Sequence, residues 1–143
     1  MREILFKAKR LDNGEWVEGY YCIKKPYCFD NRIGSKVIII TEHSSTGTVS
    51  FEVNPETICQ STGLTDKNGN KIWENDIVKL NEDVKRIFDV DDGVVKYQGG
   101  AFFVGEVKTL SSLFVLVDIY YVLRGEVIGD KFDNPELLKG GAE

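Results

Sequence analysis

The N-terminal part of the chain alternates apolar and polar positions with the period of a β-strand. The alternation runs through EILFKAK (3–9), and the sequence DNG (12–14) that follows is a strong tight-turn signal. The aromatic-rich segment WVEGYY (16–21) then supplies a returning strand. We therefore predict a β-hairpin at the start of the chain.

A second hairpin is predicted from KVIIITE (36–42) and TVSFEV (48–53), which are rich in β-branched residues and lack helical spacing. The sequence SSTG (44–47) between them favours a turn. The segment KKPYCFDNRIGS (24–35), which lies between the two hairpins, breaks the alternation and is predicted to be a loop.

The sequence Asn-Pro-Glu occurs twice, at 54–56 and 134–136, and predicts the start of a short helical turn at each place. The Asn side chain can accept hydrogen bonds from the N–H groups of such a turn, and Pro at its first position loses no hydrogen bond. We expect the first turn to bring Ile58 and Cys59 inward. The glycines at 140–141 should end the second turn.

The second half of the chain predicts further short strands at DIVKLN (76–81), on both sides of the turn QGG (98–100), and at EVIGDKF (126–132). Two segments stay open. EDVKRIFDVDD (82–92) is ambiguous, and SSLFVLVD (111–118) fits either a short helix or a buried strand. Because many short strands occur without regular βαβ alternation, we predict a mainly β fold of the β-rich α+β class.

A length of 143 residues corresponds to one domain, which can bury a core without a disulfide or metal. Hydrophobic residues make up 42% and charged residues 29%, as is typical of a soluble globular protein. The apolar segment 110–123 is too short and too interrupted to span a bilayer, and the N-terminus lacks a signal-peptide pattern. Three cysteines without C-x-x-C spacing favour reduced thiols. We therefore expect a cytoplasmic protein without a membrane partner.

The formal net charge of −5 argues against a duplex-binding surface, because such a surface needs clustered basic residues to displace counterions. The basic residues form only small groups, at 7–10, 24–25 and 85–86. We do not expect nucleic-acid binding as the main function. The alternative is a nucleic-acid-associated module, in which the groups at 7–10 or 85–86 contact phosphates beside an aromatic face.

The segment TGLTDKNGNKIWENDIV (62–78) concentrates carboxylates and amides, which suggests a comparison with a calcium loop. An EF-hand loop that starts at Asp66 needs Gly at its sixth position and Glu at its twelfth, but the chain has Lys71 and Ile77 there. The pair NG (68–69) is instead a hairpin signal, because both residue types tolerate positive φ. We predict a surface hairpin and no metal site.

The sequence contains no recognisable catalytic motif. His43 is the only histidine, and neither a G-x-S-x-G elbow nor a nucleotide-binding glycine loop occurs. The spacing of the carboxylates singles out no acid–base pair, so we expect no catalytic residue, no cofactor and no enzyme activity. A weaker alternative is a divalent-metal-dependent hydrolase that uses Glu74 and Asp76.

Aromatic residues fall mostly on the predicted strands, where packing in the core is their usual role. Aromatic doublets place one ring on each face of a strand, so one member of each doublet can be exposed and contribute to a binding surface. The candidate binding surface consists of six aromatic residues: Tyr20, Tyr21, Trp73, Phe103, Tyr120 and Tyr121.

Four segments are similar to sequence blocks of a known family. The segment TGLTDKNGNKIWENDIV (62–78) resembles the signature of the YopX protein family, and GEVIGDKFDNPELL (125–138) resembles its C-terminal block. FKAKRLDNGEWVEG (6–19) and VNPETICQSTGL (53–64) are similar to weaker blocks. The two stronger blocks together make the resemblance specific, and it covers nearly the whole chain.

The resemblance implies one YopX-like domain over 1–143, with N-terminal hairpins (1–60) packed on a small SH3-like barrel (61–143) and one or two short helical turns. The chain departs from the family pattern at Asn75, where Gly is usual, and at Asp130, where Asn is common. The family occurs mainly in phages and prophages and has no established activity, so no catalytic residue can be transferred. We expect a non-enzymatic accessory protein that binds a phage or host protein or forms a homo-oligomer.

Overall fold

The computed structural model of the protein describes residues 3–24, 36–43, 45, 47–88, 93–104 and 125–138. The strands are β1 (Phe6–Lys9), β2 (Trp16–Lys24), β3 (Lys36–His43), β4 (Gly47–Glu52), β5 (Cys59–Thr65), β6 (Lys71–Trp73), β7 (Asp76–Lys79), β8 (Gly93–Gln98), β9 (Ala101–Val104) and β10 (Glu126–Asp130). The helical elements are α1 (Glu82–Phe88) and two 3₁₀ turns, Pro55–Thr57 and Pro135–Leu138. The fold is mainly β, as predicted. The chain divides into two compact units, Met1–Gln60 and Ser61–Glu143.

In the first unit the strands pair antiparallel in the order β4-β3-β2-β1, and the start of β5 pairs with β1. Both predicted hairpins, β1–β2 and β3–β4, are confirmed. Gly14 takes a φ of 73° in the first of these turns, as the DNG signal requires. One face of the sheet buries an apolar cluster made of Ala8, Ile39 and Val53, with Phe6, Val17, Val37 and Ile58 packed against it.

The first Asn-Pro-Glu turn ties the end of β4 to the end of β1. The side chain of Asn54 accepts an N–H of the turn at 3.1 Å. The buried Thr57 hydroxyl accepts the backbone N–H of Lys9 at 2.9 Å and donates to the Asn54 carbonyl at 2.8 Å. Cys59 is buried and Ile58 packs against the core cluster, so the predicted inward direction of both is confirmed.

In the second unit an antiparallel sheet has the order β10-β7-β8-β9, and the rest of β5 pairs with β6. Gly99 and Gly100, with φ of 61° and 85°, form the predicted turn between β8 and β9. The ambiguous segment 82–92 contains the short helix α1, whereas 111–118 lies outside the described residues. The core cluster consists of Ile72, Val78, Leu80, Val95 and Val104, with Leu64, Phe102 and Val127 packed against it. The SH3-like barrel stays a prediction.

The predicted strand 126–132 is shorter in the structure, because β10 ends at Asp130. The Asp130 carboxylate accepts the backbone N–H groups of Phe132 at 2.8 Å and Asp133 at 2.9 Å, and this closes a turn. Asn134 then starts the second 3₁₀ turn, and its side chain accepts the Asp130 N–H at 3.2 Å. Among the described residues, no helix has the length and apolar character needed to cross a membrane.

Candidate functional site

Asp66 organises the loop between β5 and β6. Only 4% of its surface is exposed. Its Oδ1 accepts the backbone N–H groups of Asn68 and Asn70, both at 2.9 Å. Its Oδ2 accepts the backbone N–H of Val127 at 3.0 Å and the Asn70 side-chain amide at 3.3 Å. The carboxylate therefore holds the loop in shape and ties it to β10.

The electrostatics of Asp66 follow from these contacts. Burial is the largest single influence on its pKa and acts to raise it, because a buried carboxylate loses its hydration. The hydrogen bonds from Val127, Asn70 and Asn68 together outweigh burial and hold the pKa of Asp66 below its ordinary value of 3.8. Asp66 is consequently ionised at neutral pH and stabilised by N–H dipoles.

The predicted hairpin at NG (68–69) forms, but its turn type differs from the prediction. Gly69 has a φ of 83°, whereas Asn68 does not take a positive φ. The strands pair Thr65 with Lys71, which leaves a five-residue loop in place of a two-residue turn. The reason is Asp66, whose carboxylate binds N–H groups two and four residues ahead and so favours a wider loop.

The turn between β6 and β7 depends on Asn75, which has a φ of 72°. Its N–H donates to the Val95 carbonyl at 2.8 Å, and its carbonyl accepts the Lys131 N–H at 3.0 Å. Asp76 is buried, and its Oδ2 accepts the Trp73 N–H at 2.8 Å. Asn tolerates positive φ better than other non-glycine residues, which explains how it replaces the usual Gly of the family.

Two predicted roles change because of this turn. The prediction that Trp73 belongs to an exposed binding surface is wrong, because only 4% of its surface is exposed. Asp76, which the metal-hydrolase alternative needs, is buried and bonded to the backbone. Within the part of the chain that the structure describes, no three His, Cys, Asp or Glu side chains are grouped so as to hold a metal ion. The segment 62–78 therefore contributes turns and core residues.

The last five residues of β2, 20–24, are exposed and pair with 36–40 of β3 as a ribbon. The exposed fractions are 47% for Tyr20, 42% for Tyr21 and 56% for Ile23. We call these three residues the ribbon surface. Tyr20 and Tyr21 are adjacent in a strand and so lie on opposite faces, as predicted.

The base of the ribbon is held firmly. The Tyr21 ring packs edge-on against Phe6, with 4.6 Å between ring centroids, and the Tyr20 hydroxyl donates to Glu3 at 2.8 Å. At Gly19 a Cβ atom would overlap the carbonyl of Ile40, so β2 and β3 approach closely there. Packing, a hydrogen bond and a close strand approach therefore support the base of the ribbon.

The outer edge of β4 is the second open feature of the first unit. The end of β4 is closed by Arg10, which bridges to Val53, and by Leu11, whose N–H donates to the Glu52 carbonyl at 3.1 Å. Over 47–51, β4 pairs with β3 on one side, and no other strand of the described chain pairs with it.

The direction of the backbone groups along β4 follows from one bond. The N–H of Val53 donates to the Val37 carbonyl at 3.0 Å, so every second residue before Val53 also faces β3. Thr48 and Ser50 therefore direct their N–H and C=O groups to the open edge. The segment 47–51 contains neither a charge nor a proline, which are the usual protection of an edge strand.

A depression of about 350 Å³ adjoins the closed end of β4. The Arg10 guanidinium lies 4.3 Å from the centroid of the Phe51 ring and donates to Asp12, with 2.9 Å between Nε and Oδ1. This hydrogen bond holds the pKa of Asp12 below its ordinary value. The lining residues are Arg10, Leu11, Asp12, Ser50, Phe51 and Glu52.

Two lysines and one aromatic ring lie together on the opposite face of the first sheet from Ala8. The Lys7 ammonium is 4.5 Å from the centroid of the Trp16 ring, and the Lys9 ammonium is 5.4 Å from it. This basic and aromatic cluster is the feature that the nucleic-acid alternative requires.

The remaining predicted surface residues are placed as follows. Phe103 is half-buried on β9, and Tyr120 and Tyr121 lie outside the described residues. Ile23 was not predicted to be at the surface, because alternation puts it on the same face as the buried part of β2. The open edge of β4 was not predicted either, although the uncharged segment 47–51 was a usable signal.

Two comparisons with known proteins each match nearly the whole chain. The chain is similar to the crystal structure of protein EF1440 from Enterococcus faecalis, with 25% sequence identity and a TM-score of 0.50. The match covers 96% of this chain and 99% of that one. The search of curated proteins gave no match. The family model described as YopX protein matches residues 5–139. The chain therefore belongs to the YopX protein family.

Proposed function

We propose that the protein is a non-enzymatic accessory protein of a phage or prophage, which acts in the cytoplasm of the bacterial host. It acts by binding a protein of phage or host origin or by associating with itself. The ribbon surface carries this proposal, since Tyr20, Tyr21 and Ile23 expose between 42% and 56% of their surface at one end of β2. A few side chains supply most of the binding free energy at protein interfaces, and tyrosine is enriched among them.

The positions of the two buried carboxylates in the signature segment 62–78 also support a binding role over a catalytic one. Asp66 and Asp76 are buried and accept backbone N–H groups, so their carboxylates serve the loops that contain them. A catalytic acid or base has to reach a substrate. The occurrence of the family in phages and prophages supports the accessory role, and a free, exposed thiol at Cys22 fits a reducing cytoplasm.

Affinity purification from infected or lysogenic cells tests the ribbon surface. Tagged wild-type protein is compared with the double variant Tyr20→Thr/Ile23→Thr, which removes one large side chain from each face of the ribbon and keeps β-propensity. The matched control is Tyr97→Thr, because Tyr97 is 48% exposed on β8 in the second unit. We expect wild type and control to recover the same partner and the double variant to lose it.

Two results would count against the proposal. One is a wild-type protein that recovers no partner and is also monomeric by light scattering. The other is a folded double variant that retains the partner as well as Tyr97→Thr does. Circular dichroism of each variant shows that the comparison is made between folded proteins.

A second candidate function, association with single-stranded nucleic acid, is favoured by the cluster of Lys7, Lys9 and Trp16. It requires binding to single-stranded DNA or RNA that weakens steeply with salt, because phosphate contacts release counterions. Lys7→Gln/Lys9→Gln should then lower affinity, and Lys85→Gln/Arg86→Gln is the control. Failure of the wild-type protein to bind such a column at low salt would remove this function.

A further inference from the structure

The outer edge of β4 presents backbone groups and exposed side chains that could pair with the same edge of a second copy. Thr48 and Ser50 direct their backbone groups outward, and both side chains are exposed. We propose that two copies of this chain pair antiparallel through 47–51, about a two-fold axis between the two Val49 residues. The inference rests on the proposed self-association and specifies its surface and register.

The register follows from the polar groups that the fold leaves to the edge. Centring the two-fold axis on Val49 sets Thr48 opposite Ser50 of the second copy, and Ser50 opposite its Thr48. These two pairs supply about four backbone hydrogen bonds. Centring the axis on Ser50 would need the Glu52 carbonyl, which already accepts the N–H of Leu11 at 3.1 Å.

The side chains are complementary in the same register. Val49 meets Val49 of the second copy in a non-hydrogen-bonded pair, where β-branched side chains contact closely. Phe51 lies opposite Gly47, which leaves space for the ring. On the other face, the Thr48 and Ser50 side chains oppose each other. Every pair is therefore apolar with apolar or polar with polar.

Charge does not oppose a second copy at this edge. The chain carries a net charge of −5, so two copies repel each other over most of their surfaces. No charged residue occurs in 47–51, and the nearest one, Glu52, is paired with Lys36 at 3.2 Å. Pairing about a two-fold axis covers both edges at once and leaves no open edge on this side for further growth.

A cysteine crosslink tests the register directly. Val49→Cys is made in the background Cys22→Ser/Cys28→Ser, and Thr48→Cys in the same background is the matched control. Opposed residues of a non-hydrogen-bonded pair have Cα atoms about 4.5 Å apart, which suits a disulfide. Under mild oxidation, we expect Val49→Cys to form a covalent dimer at least about ten times faster than Thr48→Cys, because residue 48 faces residue 50.

Light scattering over about a hundredfold range of concentration measures the association itself, because a dimer depends on concentration by mass action. The wild type should show twice the mass of one chain. Ser50→Pro removes an N–H that points to the open edge and leaves the ladder with β3 intact, so this variant should fall to the mass of one chain. Circular dichroism confirms that it stays folded.

The outcomes separate this inference from the proposed function. A wild type that stays monomeric overturns the inference, and so does a dimer in which Thr48→Cys crosslinks as fast as Val49→Cys. The inference is also overturned if the wild type is a monomer and Ser50→Pro loses the captured protein partner. The edge of β4 would then bind a strand of another protein, and the proposed protein-binding function would be supported. A dimer crosslinked through Val49 supports the inference, whatever the affinity purification recovers.

Discussion

The signature segment 62–78 and the open region formed by the ribbon surface and the edge of β4 use their residues in opposite ways. In the signature segment, Asp66 and Asp76 are buried and bonded to backbone N–H groups. In the open region, large apolar side chains and outward backbone groups reach solvent. The signature segment thus contributes turns and core residues to the second unit. Substitutions should change stability in the first region and association in the second.

The largest expected effect is loss of the carboxylate in Asp66→Ala. Its removal leaves the N–H groups of Asn68, Asn70 and Val127 without their acceptor. We expect the free energy of unfolding to fall by about 3 kcal/mol, measured by urea denaturation. Asp12→Ala, which removes an exposed carboxylate, is the control and should have a much smaller effect, because solvent screens its pair with Arg10. Equal losses would remove the distinction between the two regions.

The stabilisation by Asp66 should depend on pH in a defined direction. The pKa of Asp66 is lowered in the folded state, so folding favours the ionised form. Its contribution is fully present well above the ordinary value of 3.8, decreases as pH falls below that value, and is lost below the folded-state pKa. The difference in unfolding free energy between wild type and Asp66→Asn should therefore shrink in strong acid. A difference that grows on acidification would contradict the assignment.

Gly19→Ala should give the next largest effect, although it lies in the strand that carries the open region. The added Cβ would overlap the Ile40 backbone, which a side-chain rotation cannot relieve. We expect a loss of about 2 kcal/mol, together with weaker partner binding because the ribbon shifts. Gly14→Ala is the control, since nothing lies within 4 Å of its added Cβ and only its φ of 73° is unfavourable. If Gly14→Ala lowers the free energy of unfolding more than Gly19→Ala does, the close approach of β2 and β3 at Gly19 is not the main reason for a glycine there.

The sequence was most informative where local chemistry decides the structure. The turn at 98–100, the cap at Asn54 and both N-terminal hairpins were predicted, because glycine, asparagine and alternation act over a few residues. The wide loop at 66–70 was not predicted. Its shape depends on the Asp66 carboxylate and on Val127, which is far away in sequence.

Exposure was the least predictable property. Trp73 was expected at the surface but is buried in the turn that Asp76 closes. Ile23 alternates correctly for a core position and is exposed, although Val37, its partner on β3, packs against the apolar cluster of the first unit. Alternation determines on which face of a strand a residue lies. Whether that face is buried depends on which other segments pack on it, and the pattern of a single strand carries no information about them.

Asn75 gives a smaller and more specific test of the signature segment. Asn75→Ala keeps the turn but places alanine at a φ of 72°, so we expect a loss of about 1 kcal/mol. Asn75→Gly, which restores the residue usual in the family, should equal or slightly exceed wild-type stability. Urea denaturation of the two variants side by side measures the difference. If both variants lose the same amount, the Asn75 side chain matters and the backbone conformation does not.

The smallest expected change in stability belongs to the open region, in Tyr20→Thr/Ile23→Thr. Both side chains are about half exposed, and Thr keeps a high strand propensity, so the free energy of unfolding should change by about 0.5 kcal/mol or less. The same variant should lose the captured partner. Urea denaturation beside wild type and Tyr97→Thr makes the measurement. A loss as large as that of Asp66→Ala would mean that the ribbon surface is part of the folding core. The two regions would then differ only in exposure, because both would contribute to stability.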